Sequence, residues 1–127
     1  MDQQKIIQFQ MIEQEAQQLD QQIQLIEQHS SEIQKIKNGL DDLHELKERK
    51  ILANIGRGIY IPAEITDKKL IVEIGNKKLI KKSIPDAKKL IEEQLSKLEK
   101  AKKHIMGRIE ELQREMMILI NEANKQN

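Results

Sequence analysis

Residues 51–83 read ILANIGRGIYIPAEITDKKLIVEIGNKKLIKKS, and the fold turns on this stretch. It holds three of the five glycines and one of the two prolines. Ile59, Ile61 and Ile65 fall on one side of an alternating pattern, and Tyr60, Pro62 and Glu64 on the other. Leu70, Val72 and Ile74 repeat the pattern, with Glu73 opposite. Strand side chains point to alternate faces, so β-branched residues at period two predict half-buried strands. Gly56-Arg57-Gly58 and Gly75-Asn76 supply the positive-φ positions that tight hairpin turns require. Two consecutive β-hairpins follow, joined near Thr66-Asp67-Lys68.

Long helices are expected on both sides. From Asp2 to Lys47 there is no proline and one glycine, and apolar residues fall seven apart at Ile12, Leu19, Ile26, Ile33 and Leu40. Phe9, Ala16 and Ile23 take the second heptad position, so one stripe faces a partner helix along a left-handed supercoil. Beyond Ile23 that second position turns polar, at Ser30, Lys37 and His44, while Ile36 and Leu43 stand one residue earlier. This predicts a sideways slip of the seam, with Asn38-Gly39 marking a bend. The last segment opens on Ser83-Ile84-Pro85-Asp86. Ser83 can cap free backbone N–H groups, Asp86 favours the positive helix end, and proline in the first turn loses no hydrogen bond. Ile91, Leu95, Leu98, Lys102, Ile105, Ile109, Leu112, Met116, Leu119 and Ala123 then alternate steps of four and three without a break.

Composition agrees with an elongated helical protein. Only 2% of the 127 residues are aromatic and 34% are charged, too little bulk for a thick globular core. With no cysteine, disulfides and thiolate metal sites are excluded. The opening MDQQKIIQFQ has neither the basic start nor the apolar run of a signal peptide, and no run approaches the ~20 apolar residues of a membrane span. A cytoplasmic protein is expected, with no membrane partner. A net charge of +1 gives no general pull toward nucleic acid.

Two heptad helices joined by a compact β segment fold back on each other most simply as antiparallel partners, with Leu40 near Ile91 and Ile12 near Leu119. The expected fold class is α+β: a long antiparallel α-helical coiled coil with two consecutive β-hairpins at its base. A single domain, 1–127, divides into an N-terminal helix (2–47), a double hairpin (50–83) and a C-terminal helix (84–124). At ~1.5 Å per residue the arm would run roughly 60 Å.

Two physical problems remain in this arrangement, and both bear on function. Isolated hairpins are marginal in water and expose unpaired edges, so the β segment is expected to complete itself against other subunits through Ile59, Ile61, Ile65, Leu70, Val72 and Ile74. Outside the seam, Ile6, Ile7 and Met11 cluster near the N-terminus, and Met117, Ile118 and Ile120 near the C-terminus. On a two-helix coil these side chains face solvent, and an exposed apolar cluster reads as an interaction site. Methionine suits one that must accept varied shapes.

Long helix, ILANIGRGIYIPAEI, KKLIVEIGNKKLIKKS and a capped long helix together resemble the archaeal-type prefoldin α subunit family. The resemblance covers nearly the whole chain; its specific part is the double hairpin with Gly56, Gly58 and Gly75, since β-class subunits have one hairpin. It implies a hexamer with prefoldin β subunits, two α plus four β, built on a β-strand platform. It further implies capture of unfolded client proteins at the coiled-coil tips and transfer to a group II chaperonin. On that reading Ile6, Ile7, Met11, Met117, Ile118 and Ile120 are the client-binding residues. The sequence departs from the pattern at Ser30 and Lys37, and Ala53-Asn54 is expected to interrupt the first strand.

Other signals point elsewhere more weakly. Lys68-Lys69, Lys77-Lys78 and Lys81-Lys82 would suit a nucleic-acid adaptor, but no aromatic residues interleave to stack on bases, and lysine on a strand edge also blocks unwanted pairing. A scaffold of the same architecture whose tips hold a folded partner is the other alternative. His29, His44 and His104 show no ligand spacing, and Glu92-Glu93 and Glu110-Glu111 read as solvated helix faces. Gly56-Arg57-Gly58 opens a strand and lacks the rest of a phosphate loop. The sequence presents no catalytic, cofactor or metal site, and no enzyme is expected.

Overall fold

The computed structural model describes residues 2–125. The order of elements is α1 (Gln3–Glu45), β1 (Lys50–Gly56), β2 (Ile59–Glu64), β3 (Leu70–Glu73), β4 (Leu79–Lys82) and α2 (Ile84–Lys125). Two long helices pack antiparallel, with two β-hairpins between them. Two compact units result. One contains the described residues up to Glu32 and those from Leu95 onward; the other spans Ile33–Gln94.

In the first unit the helices meet along one stripe each. Phe9, Ile12, Ala16, Leu19, Ile23 and Ile26 are half-buried on α1, as are Leu98, Lys102, Ile105, Ile109, Met116 and Ala123 on α2. Leu112 and Leu119 are buried outright. Ion pairs Lys5–Glu122 (3.8 Å), Glu15–Arg108 (3.0 Å) and Glu27–Lys102 (3.2 Å) flank the stripe, rising along one helix as they descend the other. Lys102, the one polar residue in the α2 series, spans the edge of the seam and delivers its ammonium to Glu27, as long cationic side chains do when their stems pack on apolar surface.

In the second unit Lys37 pairs with Glu92 at 3.6 Å, and Asp41 pairs with Lys88. Here the expected slip of the seam is corrected. Ser30 in the first unit and Lys37 in the second are half-buried in the original heptad positions, and Ile36 is 55% exposed. Lys37 keeps the seam by laying its stem inward and sending its charge to Glu92. Only at Leu43, where His44 is exposed, does the buried position move one residue earlier.

Caps define both helix starts. Asp2 Oδ1 accepts from Lys5 N at 2.8 Å, and Ser83 Oγ accepts from Asp86 N at 3.2 Å. Behind Ser83, Ile84 and Ala87 are buried. Lys68 Nζ donates to the Leu46 carbonyl just past α1, the cationic cap that helix C-termini favour.

Both hairpins are antiparallel. Arg57 and Gly58 form the first turn, both at positive φ (50° and 78°), the geometry whose twist matches that of the flanking strands. Strand β1 runs unbroken through Ala53-Asn54, which corrects the expected interruption. Ala53 pairs with Ile61 and Asn54 with Tyr60, and the irregularity comes one residue later, where Ile55 is the extra residue of a bulge. Asn54 Oδ1 holds that bulge by accepting from Gly56 N at 2.8 Å. Gly75, Asn76 and Lys77 turn the second hairpin, all at positive φ.

Candidate functional site

The pairing sorts the hairpin residues by face. In β3–β4, Leu70 faces Lys82 and Val72 faces Ile80, and all four are half-buried. Ile71 and Leu79, on the opposite face, are 67% and 66% exposed. In β1–β2, Ile59 and Ile61 are exposed on one face, and Leu52 and Tyr60 on the other. Ile65 lies just past β2, its N–H donating to the Arg49 carbonyl at 2.7 Å. Ile74 lies just past β3, exposed, its N–H donating to Lys78 at 3.0 Å. Of the six residues expected to serve assembly, Ile59, Ile61 and Ile74 present bare apolar surface, while Ile65, Leu70 and Val72 are already half covered within the hairpin unit. Reading only one face as apolar left Leu52, Ile71 and Leu79 out. The available signal was the unbroken run Leu70-Ile71-Val72, since strands covered on both faces read as continuous apolar runs.

The second candidate surface lies in the other unit, where the first turns of α1 stand beside the last turns of α2. A groove of about 640 Å³ opens there. Met11 and Ile12 of α1 and Ile118 and Leu119 of α2 supply its apolar lining. Gln8, Gln14, Glu15 and Gln18 border it from α1, and Glu115 and Glu122 from α2. Of the six residues expected to form an interaction patch, Met11 and Ile118 line this groove. Ile6, Ile7, Met117 and Ile120 are exposed on the same helix ends but do not line it. Ile12 and Leu119 carry the seam and line the groove at once. A heptad pattern assigns such residues to the interface and is silent on which of them a neighbouring gap leaves reachable.

Beside the groove, Arg108 clamps Glu15 through Nε and Nη2 (3.0 and 3.2 Å) and donates through Nη1 to Glu111 at 3.0 Å. These hydrogen bonds to Glu15 and Glu111 raise the Arg108 pKa further above its already high value, so the clamp is a permanent charge. Among the lysines of the hairpins, Lys68 is spent on the α1 cap and Lys82 is half-buried. Among the described residues, no helix is long and apolar enough to cross a membrane.

Two antiparallel helices that fully bury so little, carrying hairpins with apolar residues on both faces, define a coiled-coil subunit of a larger assembly. The sequence profile of the Prefoldin subunit family matches residues 12–127, and the chain belongs to that family. It is 30% identical to the prefoldin subunit alpha of Pyrococcus horikoshii over 109 residues, covering 84% of this chain and 74% of that protein. It is 32% identical to the prefoldin subunit alpha of Methanococcus aeolicus over 111 residues, 86% of this chain and 75% of that one. The fold is also that of the filamentous PFD of Methanocaldococcus jannaschii, with a TM-score of 0.78 at 20% identity over 91% of this chain and 97% of that one. Membership makes the chain a non-catalytic chaperone subunit.

Proposed function

We propose that the chain is the α subunit of an ATP-independent holding chaperone of the cytoplasm. Its hairpins assemble with prefoldin β subunits, two α plus four β, and the paired ends of α1 and α2 capture unfolded proteins for transfer to a group II chaperonin. The observation that carries this reading is the exposed apolar surface at those ends. Met11 and Met117 are 63% and 64% exposed, and Ile6, Ile7, Ile118 and Ile120 are exposed beside them. Each isolated contact is weak, but several arms on one scaffold raise the effective concentration of binding surface. Release then needs only a stronger sink for the same apolar segments, the role assigned to the chaperonin.

Light scattering of an aggregating protein, with the chain in its native assembly and without nucleotide, tests the reading. Suppression of aggregation for several unrelated unfolded proteins supports it. An assembly that leaves all of them to aggregate overturns it. The assembly and a group II chaperonin together should then return more folded client than the assembly alone.

A further inference from the structure

We infer that the groove between the first turns of α1 and the last turns of α2 selects unfolded segments in which apolar side chains lie between lysine or arginine residues. It disfavours segments of equal hydropathy flanked by acidic residues. This rests on the holding-chaperone reading and adds to it the chemistry of the captured segment.

The two sides of the groove differ in the charge they leave free. Its α1 border carries Gln8, Gln14 and Gln18, neutral at every working pH, and Glu15, whose two oxygens Arg108 already holds; its α2 border carries Glu115 and Glu122, and among the described residues no lysine or arginine lines it. The cations nearest these two carboxylates hold them loosely. Arg108 is 3.7 Å from Glu115 and already hydrogen-bonded to Glu15 and Glu111, while Lys5 is 3.8 Å from Glu122. Charge-assisted hydrogen bonds run at about 2.7–2.9 Å, so among the described residues neither carboxylate has such a bond, and each can accept one from an incoming cation.

Spacing adds a second condition. Glu115 and Glu122 are seven residues apart on α2, about 10 Å along the helix axis, with Ile118 and Leu119 between them. An extended chain advances about 3.3 Å per residue, so it covers that distance in about three residues. Two cationic side chains three positions apart can therefore reach both carboxylates while the residues between them meet apolar surface. The groove volume of about 640 Å³ lies within the ~300–1,000 Å³ range of clefts that enclose small ligands, room for a few side chains of an extended segment.

The test uses the native assembly and three labelled peptides built on Lys-Leu-Phe-Lys, Gln-Leu-Phe-Gln and Glu-Leu-Phe-Glu, read by fluorescence anisotropy. The lysine peptide should bind about tenfold more tightly than the glutamate peptide, as two exposed charge pairs gained or opposed would give. In about 0.5 M salt, where the screening length falls to roughly 4 Å, the ratio should shrink toward one. In the double variant Glu115→Gln, Glu122→Gln the ratio should also fall toward one. Equal binding of all three peptides to the unmodified protein overturns the charge selection and leaves the holding reading standing. A preference that survives the double variant overturns the assignment to this groove. A native, folded lysine-rich protein that binds as tightly as the lysine peptide overturns selection of unfolded segments. Failure to bind any peptide or any unfolded protein overturns both readings.

Discussion

Leu112 shows how a thin coiled coil concentrates its stability. It is 1% exposed, the most deeply buried side chain among the described residues. Leu112→Ala should cost about 2–3 kcal/mol, the lower part of the range for such truncations, because two helices can close partly over the gap. Urea titration followed by circular dichroism measures it. Asp41 and Lys88 make a different kind of contact. Their hydrogen bond holds the Asp41 carboxyl below its ordinary 3.8 and the Lys88 ammonium above its ordinary 10.5. The carboxyl therefore contributes stability that is present above pH 3.8 and lost as pH falls through its lowered folded value. The ammonium contributes stability that is present below pH 10.5 and lost as pH rises through its raised folded value. The melting difference between the unmodified chain and Asp41→Asn should be present near pH 8 and close at both extremes. A difference that persists unchanged into strong acid would contradict the pairing. Neither contact stands out in the sequence in the same way. Leu112 is legible as one heptad position among ten, but the partner of Lys88 depends on how two helices are staggered.

Among the elements, the second hairpin has one face half covered by the chain itself and one left bare. Val72 is half-buried against Ile80, so Val72→Asp should disturb the hairpin as well as block assembly, since a buried unpaired charge is costly. Ile71 faces the other way and is exposed, so Ile71→Asp should leave the hairpin formed and remove only subunit association. Native mass spectrometry reads association, and hydrogen exchange at the β3–β4 amides reads the hairpin. Equal loss of protection in both variants would sink the division. At the ends of α1 and α2, replacing Ile7, Met117 and Ile118 with serine removes apolar area at roughly 25 cal/mol per Å², about a kilocalorie per mole of capture for each lost contact. All three are exposed, so helicity and assembly should persist while suppression of aggregation falls. A triple variant that still suppresses aggregation as the unmodified assembly does would place client contact elsewhere. The strands and helix ends were legible because alternation and heptads are local periodicities. The bulge at Ile55 and the second apolar face of β3–β4 were less so, because alternation names two faces without saying which one the chain itself covers.

At the scale of the molecule, the small number of fully buried side chains among the described residues is the governing fact. Apolar strand residues left bare on both faces of a hairpin are not a stable end state in water. The chain should associate with prefoldin β subunits when the two are co-expressed, and native mass should show a complex with two copies of this chain and four of its partner. A monodisperse monomer with protected β3–β4 amides would count against that assembly.

The sequence by itself determined the two heptad helices, the two hairpins with Gly56, Gly58 and Gly75 at their turns, the cap at Ser83, and the family. All of these are written in periods of two to seven residues or in single conformational demands. Only the tertiary structure decided that the seam stays at Ser30 and Lys37 and leaves Ile36 exposed. A lysine can hold a seam position when a carboxylate on the other helix takes its charge, and the position of Glu92 opposite Lys37 exists only once the helices are packed. The groove at the helix ends has the same origin. Met11 and Ile12 are more than a hundred residues from Ile118 and Leu119 along the chain, and their common boundary, with Glu115 and Glu122 beside it, is a product of packing alone.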